Sequence, residues 1–327
     1  MTDQPIRWGI LGTGAIANTF ATALASLDDA VLQAVGSRSR ESADRFADAH
    51  GIPNRHGTYE ALAADPDVDV VYIATLNSLH HDNAILCIEH GKAVLCEKPF
   101  TINRAQAEVV LALAREKGVF IMEAMWTRFI PAVQQARAWI DEGAIGAVRM
   151  VQANFGFRHD AAPLFDLALG GGSLLDVGIY PITLAHFAFG GNPTQIRGLA
   201  TIGRGGVDEQ AAFVLGYDGG GLALLGSAIQ TKTPYDGYIM GTDGLITLHG
   251  TFWNAEMVSL ERPGQDTVTR EFPHPCNGYE YEAQEVHRCL RAGALESATM
   301  PHQTTLEILE TMDHIRLQWG LRYPIEE

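Results

Sequence analysis

The stretch IRWGILGTGAIA, Ile6–Ala17, decides the fold of this chain. An apolar strand, IRWGIL, runs directly into a G-x-G-x-x-A turn that opens a helix. Such glycines let backbone N–H groups approach a pyrophosphate at the helix N-terminus, where the helix dipole favours negative charge. The same letters also fit a plain tight turn, but their place in a βαβ unit favours a dinucleotide site. We expect this site to include Gly12, Thr13, Gly14, Ala15 and Ile16.

The sequence around this turn alternates short apolar runs with helical segments, as in a parallel sheet with crossover helices. The apolar runs are continuous, which is expected when both faces of a sheet are covered. We therefore predict an α/β Rossmann domain over residues 1–125. Its predicted strands are 6–11, 31–35, 68–74, 93–96 and 119–122, and its predicted helices are 15–27, 39–50 and 103–117.

Beyond residue 125 the pattern changes to alternating segments separated by glycine-rich turn signals. Successive strands joined by short turns indicate an antiparallel sheet. We predict an α+β C-terminal domain over residues 126–327, with a mostly antiparallel open sheet and a C-terminal helix able to pack back on the first domain. The predicted strands are 147–157, 195–202, 209–217, 222–230, 235–248, 257–262 and 267–272, and the predicted helices are 131–142, 173–189, 279–292 and 303–320.

Charge and composition exclude several classes of partner. The chain has 327 residues and a formal net charge of -16, which disfavours nucleic acid and anionic membranes. The start of the sequence shows no signal peptide, and no apolar run reaches the roughly 18 residues of a spanning helix. The four cysteines, Cys87, Cys96, Cys276 and Cys289, form no C-x-x-C pair. Although four cysteines alone would permit disulfides, we expect a cytoplasmic protein with free thiols.

The end of the second predicted strand indicates which dinucleotide is bound. A carboxylate there favours NAD, whereas an arginine suits a 2′-phosphate. The sequence is GSRSR, Gly36–Arg40, without a carboxylate. Ser37 can donate a hydrogen bond and Arg38 can contact phosphate with its planar guanidinium. We predict NADP as the cofactor; the alternative is a solvated arginine at a helix start.

Two further motifs carry acid–base groups. Glu97-Lys98-Pro99 follows a predicted parallel strand, at the edge of the sheet where ligands of open α/β folds bind. Three glycines at 170–172 precede Asp176 and Tyr180, which are four residues apart on one predicted helix. The pKa of an unperturbed tyrosine is about 10, and a neighbouring ammonium would lower it. The alternatives are a surface lysine, a core tyrosine and a helix-capping aspartate.

Two other reaction classes find little support in the sequence. His80 and His81 are adjacent and diverge on a helix, and no second cluster completes a tetrahedral metal site. We therefore predict no metal. No G-x-S-x-G elbow accompanies the serines, so acyl transfer has no support either.

The glycine-rich turn, Glu97-Lys98-Pro99 and the glycine triplet leading to Asp176 and residue 180 together resemble the Gfo/Idh/MocA oxidoreductase family over nearly the whole chain. Many members carry histidine at the position of Tyr180. The tyrosine, together with MEAMWTRF at 122–129, is similar to the branch of dimeric dihydrodiol dehydrogenase and NADP-dependent D-xylose 1-dehydrogenase.

The resemblance implies roles for individual residues. Tyr180 would exchange a proton with the substrate oxygen, Lys98 would tune and orient Tyr180, and Asp176 would complete the hydrogen-bond network. The cofactor would also contact Thr75, Leu76, Asn77, His80, Glu97, Lys98 and Trp126. The substrate would be lined by Trp126, Phe155, Asp176, Tyr180, Trp253 and Tyr279. Arg38 matches the phosphate-binding arginine of the dihydrodiol enzyme, but a second arginine expected one turn later is Ser42 here.

The resemblance therefore implies an NADP-dependent dehydrogenase or reductase acting on a carbohydrate-like alcohol or carbonyl. Aldose 1-dehydrogenase and trans-dihydrodiol dehydrogenase are the favoured types, with a homodimer or higher homo-oligomer formed through the C-terminal sheet. Two alternatives are a non-catalytic dinucleotide-binding regulator and a sugar oxidoreductase that never releases its cofactor. A regulator that abandoned chemistry would be expected to lack Lys98 or Tyr180, and both are present.

Overall fold

The computed structural model describes residues 4–326, which form two compact units. The first unit combines the chain up to Thr101 with Ala105–Trp126 and His274–Thr305; the second combines Ile102–Arg104, Thr127–Pro273 and the chain from Leu306 on. The helices are Ala15–Ala25 (α1), Arg40–His50 (α2), Tyr59–Ala63 (α3), His80–Glu89 (α4), Arg104–Lys117 (α5), Pro131–Asp141 (α6), Ile179–Phe189 (α7), Glu280–Ala292 (α8) and His302–Leu317 (α9).

The first unit contains a fully parallel sheet. Its strands are Ile6–Leu11 (β1), Ala30–Gly36 (β2), Asn54–His56 (β3), Val70–Ile73 (β4), Ala93–Glu97 (β5) and Ile121–Ala124 (β6). They lie in the order β3-β2-β1-β4-β5-β6, so the strand order reverses between β1 and β4. Ligands of doubly wound folds bind at the carboxyl ends of the strands at such a reversal. The predicted Rossmann fold is confirmed, and the short strand β3 was not predicted.

A helix from late in the chain belongs to this first unit. Trp8 of β1 is fully buried, and its indole Nε1 donates a hydrogen bond to Nε2 of His287 in α8, at 2.9 Å. Asn277, just before α8, donates to the carbonyl of Thr19 in α1 at 3.0 Å. Residues near position 280 therefore complete the core around β1 and α1.

The second unit is built on a mixed sheet. Its strands are Val148–Gly156 (β7), Gln195–Ile202 (β8), Asp208–Gly216 (β9), Leu222–Ala228 (β10), Gly237–Gly241 (β11), Leu245–Leu248 (β12), Met257–Glu261 (β13) and Val268–Glu271 (β14). The order is β14-β13-β12-β11-β7-β10-β9-β8. Neighbours are antiparallel except β7 and β10, which pair in parallel at the centre. The predicted α+β domain with a mostly antiparallel sheet is confirmed.

One face of this sheet is covered by α7, and ten successive residues of this helix, Ile179–Ala188, are buried. An apolar helix of this kind is typical of a protein core. The stretch 167–189 is in fact long and apolar enough to span a membrane, contrary to the sequence prediction, but 78% of its most apolar window is buried inside the protein. Its composition reflects core packing.

The segment before α7 is not an ordinary helix. The sequence predicts one α-helix over 173–189, but Leu174–Gly178 forms a π-helical turn. Asp176 lies within this turn and Tyr180 lies in the first turn of α7. Single π-helical turns inside α-helices are rare and often occur at functional sites.

The cysteines are free thiols. Cys87, Cys96 and Cys289 are buried, and burial raises the pKa of Cys87 to about 12 and that of Cys289 to about 11. These thiols therefore stay protonated and are poor nucleophiles.

Candidate active site

The turn between β1 and α1 is shaped by two different glycines. Gly12 has φ +108°, and a Cβ there would lie 2.6 Å from the carbonyl oxygen of Ala74. Gly14 is the N-cap of α1 and makes no side-chain hydrogen bond there, and a Cβ at this position would meet no atom within 4 Å. The space beside Gly14 at the N-terminus of α1 is thus open. This cradle fits the pyrophosphate of a dinucleotide, which needs backbone donors at a helix N-terminus.

At the end of β2, Ser37 is buried and its amide donates to the carbonyl of His56 at 3.1 Å. Arg38 is exposed, and its guanidinium has no ion pair with any described residue. Arg40, in contrast, is paired with Asp44 one helical turn later, at 2.9 Å. Arg38 is therefore the cation of this pair that is available for a phosphate.

The loop after β5 is held in place from several directions. Glu97 is 5% exposed; it accepts a hydrogen bond from the Tyr72 hydroxyl and, at 3.1 Å, from the amide of Lys98. The peptide bond from Lys98 to Pro99 is cis. The amide of Phe100 donates to Glu123 at 3.0 Å. This network defines the backbone from which the Lys98 side chain extends.

His80 ties this loop to the end of β4. The ring is fully buried, with Nδ1 2.8 Å from the Pro99 carbonyl and Nε2 3.1 Å from the Thr75 carbonyl. Burial lowers the pKa of His80, against the two carbonyl contacts, which favour protonation. A neutral ring can donate to only one carbonyl at a time. Asn83 adds a hydrogen bond to the Thr75 hydroxyl at 3.1 Å.

Two buried glutamates near this loop were missed by the sequence analysis. Glu123, at the end of β6, accepts hydrogen bonds from Phe100 and, at 2.9 Å, from the Thr305 hydroxyl. Glu282 in α8 is fully buried, and neither carboxyl oxygen has a hydrogen-bond partner among residues 4–326. Burial, together with the charge of Glu97, raises the pKa of Glu282 well above its ordinary value. No motif marks either residue, because their partners are distant in sequence.

The predicted substrate residues form an aromatic pair in the first unit and an aromatic cluster in the second. In the first unit, Trp126 stacks on Tyr279 with ring centroids 4.1 Å apart. In the second unit, Phe155 stacks on Trp253 at 3.5 Å, and the Tyr180 ring lies 5.4 Å from Phe155.

The cluster in the second unit includes a residue that the sequence analysis missed. Tyr235 packs edge-on against Trp253 at 4.8 Å. Tyr180 itself is buried, with 4% of the residue exposed. The second unit thus offers a proton-carrying phenol beside apolar ring faces.

A Rossmann sheet, a dinucleotide cradle and acid–base side chains define a nicotinamide-dinucleotide-dependent oxidoreductase. Residues 6–125 match the oxidoreductase family with an NAD-binding Rossmann fold, and residues 133–251 match the GFO/IDH/MocA C-terminal domain. The chain belongs to the Gfo/Idh/MocA oxidoreductase family, as the sequence motifs indicated.

Similar proteins cover nearly the whole chain. It is 37% identical over 330 residues to the trans-1,2-dihydrobenzene-1,2-diol dehydrogenase of Xenopus laevis, covering 97% of this chain and 99% of that protein. The human enzyme of the same name is 34% identical, with 98% of each chain covered. Among solved structures, the aldose-aldose oxidoreductase of Caulobacter crescentus has a TM-score of 0.87 at 26% identity, covering 97% and 98%. A 3-ketoreductase from Actinomadura kijaniata in complex with NADP and TDP-benzene has a TM-score of 0.86 at 26% identity, covering 96% and 98%.

Proposed function

We propose that this protein is an NADP-dependent oxidoreductase that moves hydride between the nicotinamide and a sugar or sugar-like ring alcohol or carbonyl. The favoured types are aldose 1-dehydrogenase and trans-dihydrodiol dehydrogenase. The observation that carries the proposal is the buried Tyr180 side chain beside the stacked rings of Phe155 and Trp253. Flat apolar ring faces next to a proton carrier suit a cyclic substrate with hydroxyl groups. The names of the diol dehydrogenase and sugar oxidoreductase relatives support the same substrate class.

The choice of NADP rests on the end of β2. Arg38 is exposed and has no ion pair within the described residues, and Ser37 lies beside it. A guanidinium can bind a 2′-phosphate with two parallel hydrogen bonds. The end of β2 carries no carboxylate for a ribose 2′-hydroxyl, since Gly36–Arg40 reads GSRSR. The structural relative crystallised with NADP supports this choice.

The proposed chemistry divides between hydride and proton. The bound nicotinamide supplies the hydride acceptor for oxidation and the hydride donor for reduction. During oxidation the Tyr180 phenolate would take the proton of the substrate hydroxyl at its Oη and become a neutral phenol as the carbonyl forms, and during reduction the phenol would give that proton to the carbonyl oxygen and become a phenolate. Lys98 stabilises the phenolate through its positive charge, and Asp176 orients the hydrogen bonds around the substrate oxygen. Trp126, Tyr279, Phe155 and Trp253 line the substrate, while Thr75, Leu76, Asn77, His80 and Glu97 shape the nicotinamide and ribose site.

The two parts of the chain would have different tasks. We assign dinucleotide binding to residues 1–125 and substrate binding and oligomerisation to 126–327. The acidic net charge of -16 and the free cysteines favour a cytoplasmic enzyme with small-molecule substrates.

The uncovered face of the second sheet is the proposed contact between copies. Leu199 is 82% exposed, Val214 42% and Leu224 40%, and Leu224 lies directly opposite Val214 in the antiparallel β9–β10 pair. A contiguous exposed apolar patch of this kind is typical of an interface. A second copy is the proposed occupant, because the same face on two copies can form a closed two-fold contact.

The test is a coupled screen for turnover. NADP reduction would be followed by nicotinamide absorbance over aldoses, polyols and trans-dihydrodiols, and NADPH oxidation over ketoses and dicarbonyls. We expect Tyr180→Phe and Lys98→Met each to lower kcat by about a hundredfold or more, in line with the loss of acid–base catalysis, while NADPH affinity changes little. An unchanged kcat in Tyr180→Phe would contradict the assignment of the proton carrier. Arg149→Ala, on an exposed position of β7, serves as the matched control.

A further inference from the structure

A buried carboxylate lies directly behind the segment that carries Asp176 and Tyr180. Asp208, the first residue of β9, is fully buried. Its Oδ2 accepts a hydrogen bond from the Ser173 hydroxyl and another from the amide of Leu174, each at 2.7 Å. Ser173 is itself fully buried, and its hydroxyl lies 2.9 Å from that of Ser227 in β10. Two strands thus hold the first residues of the π-helical turn.

The glycine triplet closes over this carboxylate. Gly172 has φ +119°, and a Cβ there would lie 2.4 Å from Oδ1 of Asp208. A Cβ on Gly171 would lie 2.6 Å from the carbonyl oxygens of Pro163 and Leu164. The Tyr323 hydroxyl donates to the Gly171 carbonyl at 2.8 Å. The glycines are therefore needed because the backbone passes so close to Asp208 and to the preceding loop.

The other end of the π-helical turn rests on the same pair of strands. A Cβ on Gly178 would approach Cβ and Oγ of Ser227 at 3.3 Å. The turn Leu174–Gly178 is thus hydrogen-bonded to Asp208 at its start and lies close to Ser227 at its end, with Asp176 between the two. A π-helical turn is less favourable than an α-helical one and needs such outside contacts to persist.

Charge makes the contact at Asp208 stronger than a neutral one. Hydrogen bonds to an ionised acceptor are roughly twice as strong as neutral ones. Burial raises the pKa of Asp208 to about 6, and the donors Ser173 and Leu174 oppose that rise. Oδ1 has no hydrogen-bond partner within residues 4–326, so all the side-chain hydrogen bonding is directed at the start of the π-helical turn.

We propose that Asp208 is a positioning residue for the proposed reaction: its carboxylate fixes the π-helical turn so that Asp176 and Tyr180 are held in their working orientation. This inference rests on the proposed function, because Asp208 acts through residues assigned there. Asp208 does not touch the substrate or the cofactor in this role. Removal of the Asp208 carboxylate should therefore lower kcat and leave the affinity for the dinucleotide unchanged.

The test compares Asp208→Ala, Asp208→Asn and Ser173→Ala. In Asp208→Asn the amide oxygen can still accept both hydrogen bonds, although they are weaker without the charge, so kcat should fall by no more than about threefold. Asp208→Ala should lose kcat by about tenfold or more, and Ser173→Ala by less, with the dissociation constant of NADPH unchanged within about twofold. If Asp208→Ala does not fold, Ser173→Ala, which removes one of the two hydrogen bonds, should still lower kcat more than Asp208→Asn, which can keep both.

A matched control separates positioning from general stability. Leu260→Ala removes a buried side chain from β13 of the same sheet, away from the π-helical turn. At temperatures below the unfolding transitions of Leu260→Ala and Asp208→Ala, Leu260→Ala should keep the wild-type kcat although its Tm falls by an amount similar to that of Asp208→Ala. Equal losses of kcat in Leu260→Ala and Asp208→Ala would overturn the proposal.

A readout without substrate makes the inference testable independently of the proposed function. Amide hydrogen exchange over residues 173–180 should accelerate in Asp208→Ala and not in Leu260→Ala. If the wild type turns over no alcohol or carbonyl, the proposed function fails, and faster exchange would still show that Asp208 holds this turn. Unchanged exchange in Asp208→Ala would reject the inference whatever the substrate.

Discussion

The two glycines of the β1–α1 turn should be separable by experiment, because the structure assigns each a different reason for being glycine. Alanine at Gly12 must adopt φ +108° and brings a Cβ to 2.6 Å from the Ala74 carbonyl. Alanine at Gly14 keeps φ -77° and meets no atom within 4 Å. The first change should therefore destabilise the protein, and the second should instead obstruct the dinucleotide.

The magnitude for Gly12→Ala follows from its contacts. A non-glycine residue in a sparsely populated backbone region costs about 1–3 kcal/mol. Relief of the overlap moves the backbone that carries the hydrogen bonds from Gly12 to Gly36 and from Ala74 to Leu11, both 2.9 Å long. Weakening one of them adds about 0.5–1.5 kcal/mol. The expected loss in the free energy of unfolding is about 1.5–4.5 kcal/mol, which lowers Tm by about 3–18 °C in a domain of this size.

Gly14→Ala should leave Tm within about 2 °C of the wild type, since an unstrained alanine also restricts the unfolded chain. Its methyl group occupies the open space before the α1 amides, so NADPH affinity should fall by about tenfold or more. Thermal unfolding followed by circular dichroism and a fluorescence titration with NADPH measure the two effects. The reasoning is refuted if Gly14→Ala binds NADPH as tightly as the wild type, or if both variants lose the same Tm.

Three further predictions concern charge and surface. Arg38→Ala should lower kcat/KM for NADP by about tenfold and leave kcat/KM for NAD unchanged, since a charged hydrogen bond is worth about 1.5–3 kcal/mol and this site is exposed. Arg40 is already paired with Asp44, so Arg40→Ala should change kcat/KM little with either cofactor. Glu282 has a raised pKa, so its stabilising contribution is present below its unfolded pKa of about 4.5 and is lost as pH rises through the folded pKa. In urea unfolding, the free energy of unfolding of Glu282→Gln relative to the wild type should therefore be higher at pH 8 than at pH 5. A difference that stays constant with pH would contradict this prediction. Leu224→Glu should shift sedimentation from an oligomer towards a monomer, whereas Val109→Glu, at a more exposed position on α5, should not. A wild type that already sediments as a monomer would contradict the interface.

Local sequence patterns predicted much of the first sheet. The strand over residues 6–11 and the helix starting at Ala15 lie where the glycine turn and the apolar run placed them. These elements could be predicted from neighbouring residues alone, because the backbone of the turn requires glycine at position 12. The strand β3, Asn54–His56, was missed because three polar residues give no periodicity.

Contacts between distant residues were beyond the sequence patterns. The parallel pairing of β7 with β10 depends on α7, β8 and β9 lying between them in sequence, and no turn signal encodes it. No sequence motif marks Asp208, Glu123 or Glu282, because the groups that each of them interacts with are distant in sequence. The π-helical turn was predicted as α-helix because the apolar pattern of 173–189 hides one irregular turn.

The route of the polypeptide through its first unit has a consequence for protein engineering. Trp8 in the first strand is sealed by His287 of α8, so an expression fragment ending at Trp126 would leave an indole and its neighbours facing water. A chimera that exchanges only the N-terminal portion with a relative would combine a core from one protein with the α8 helix of another. A working exchange must carry residues 274–305 along with the nucleotide-binding half, as a matched set of parts.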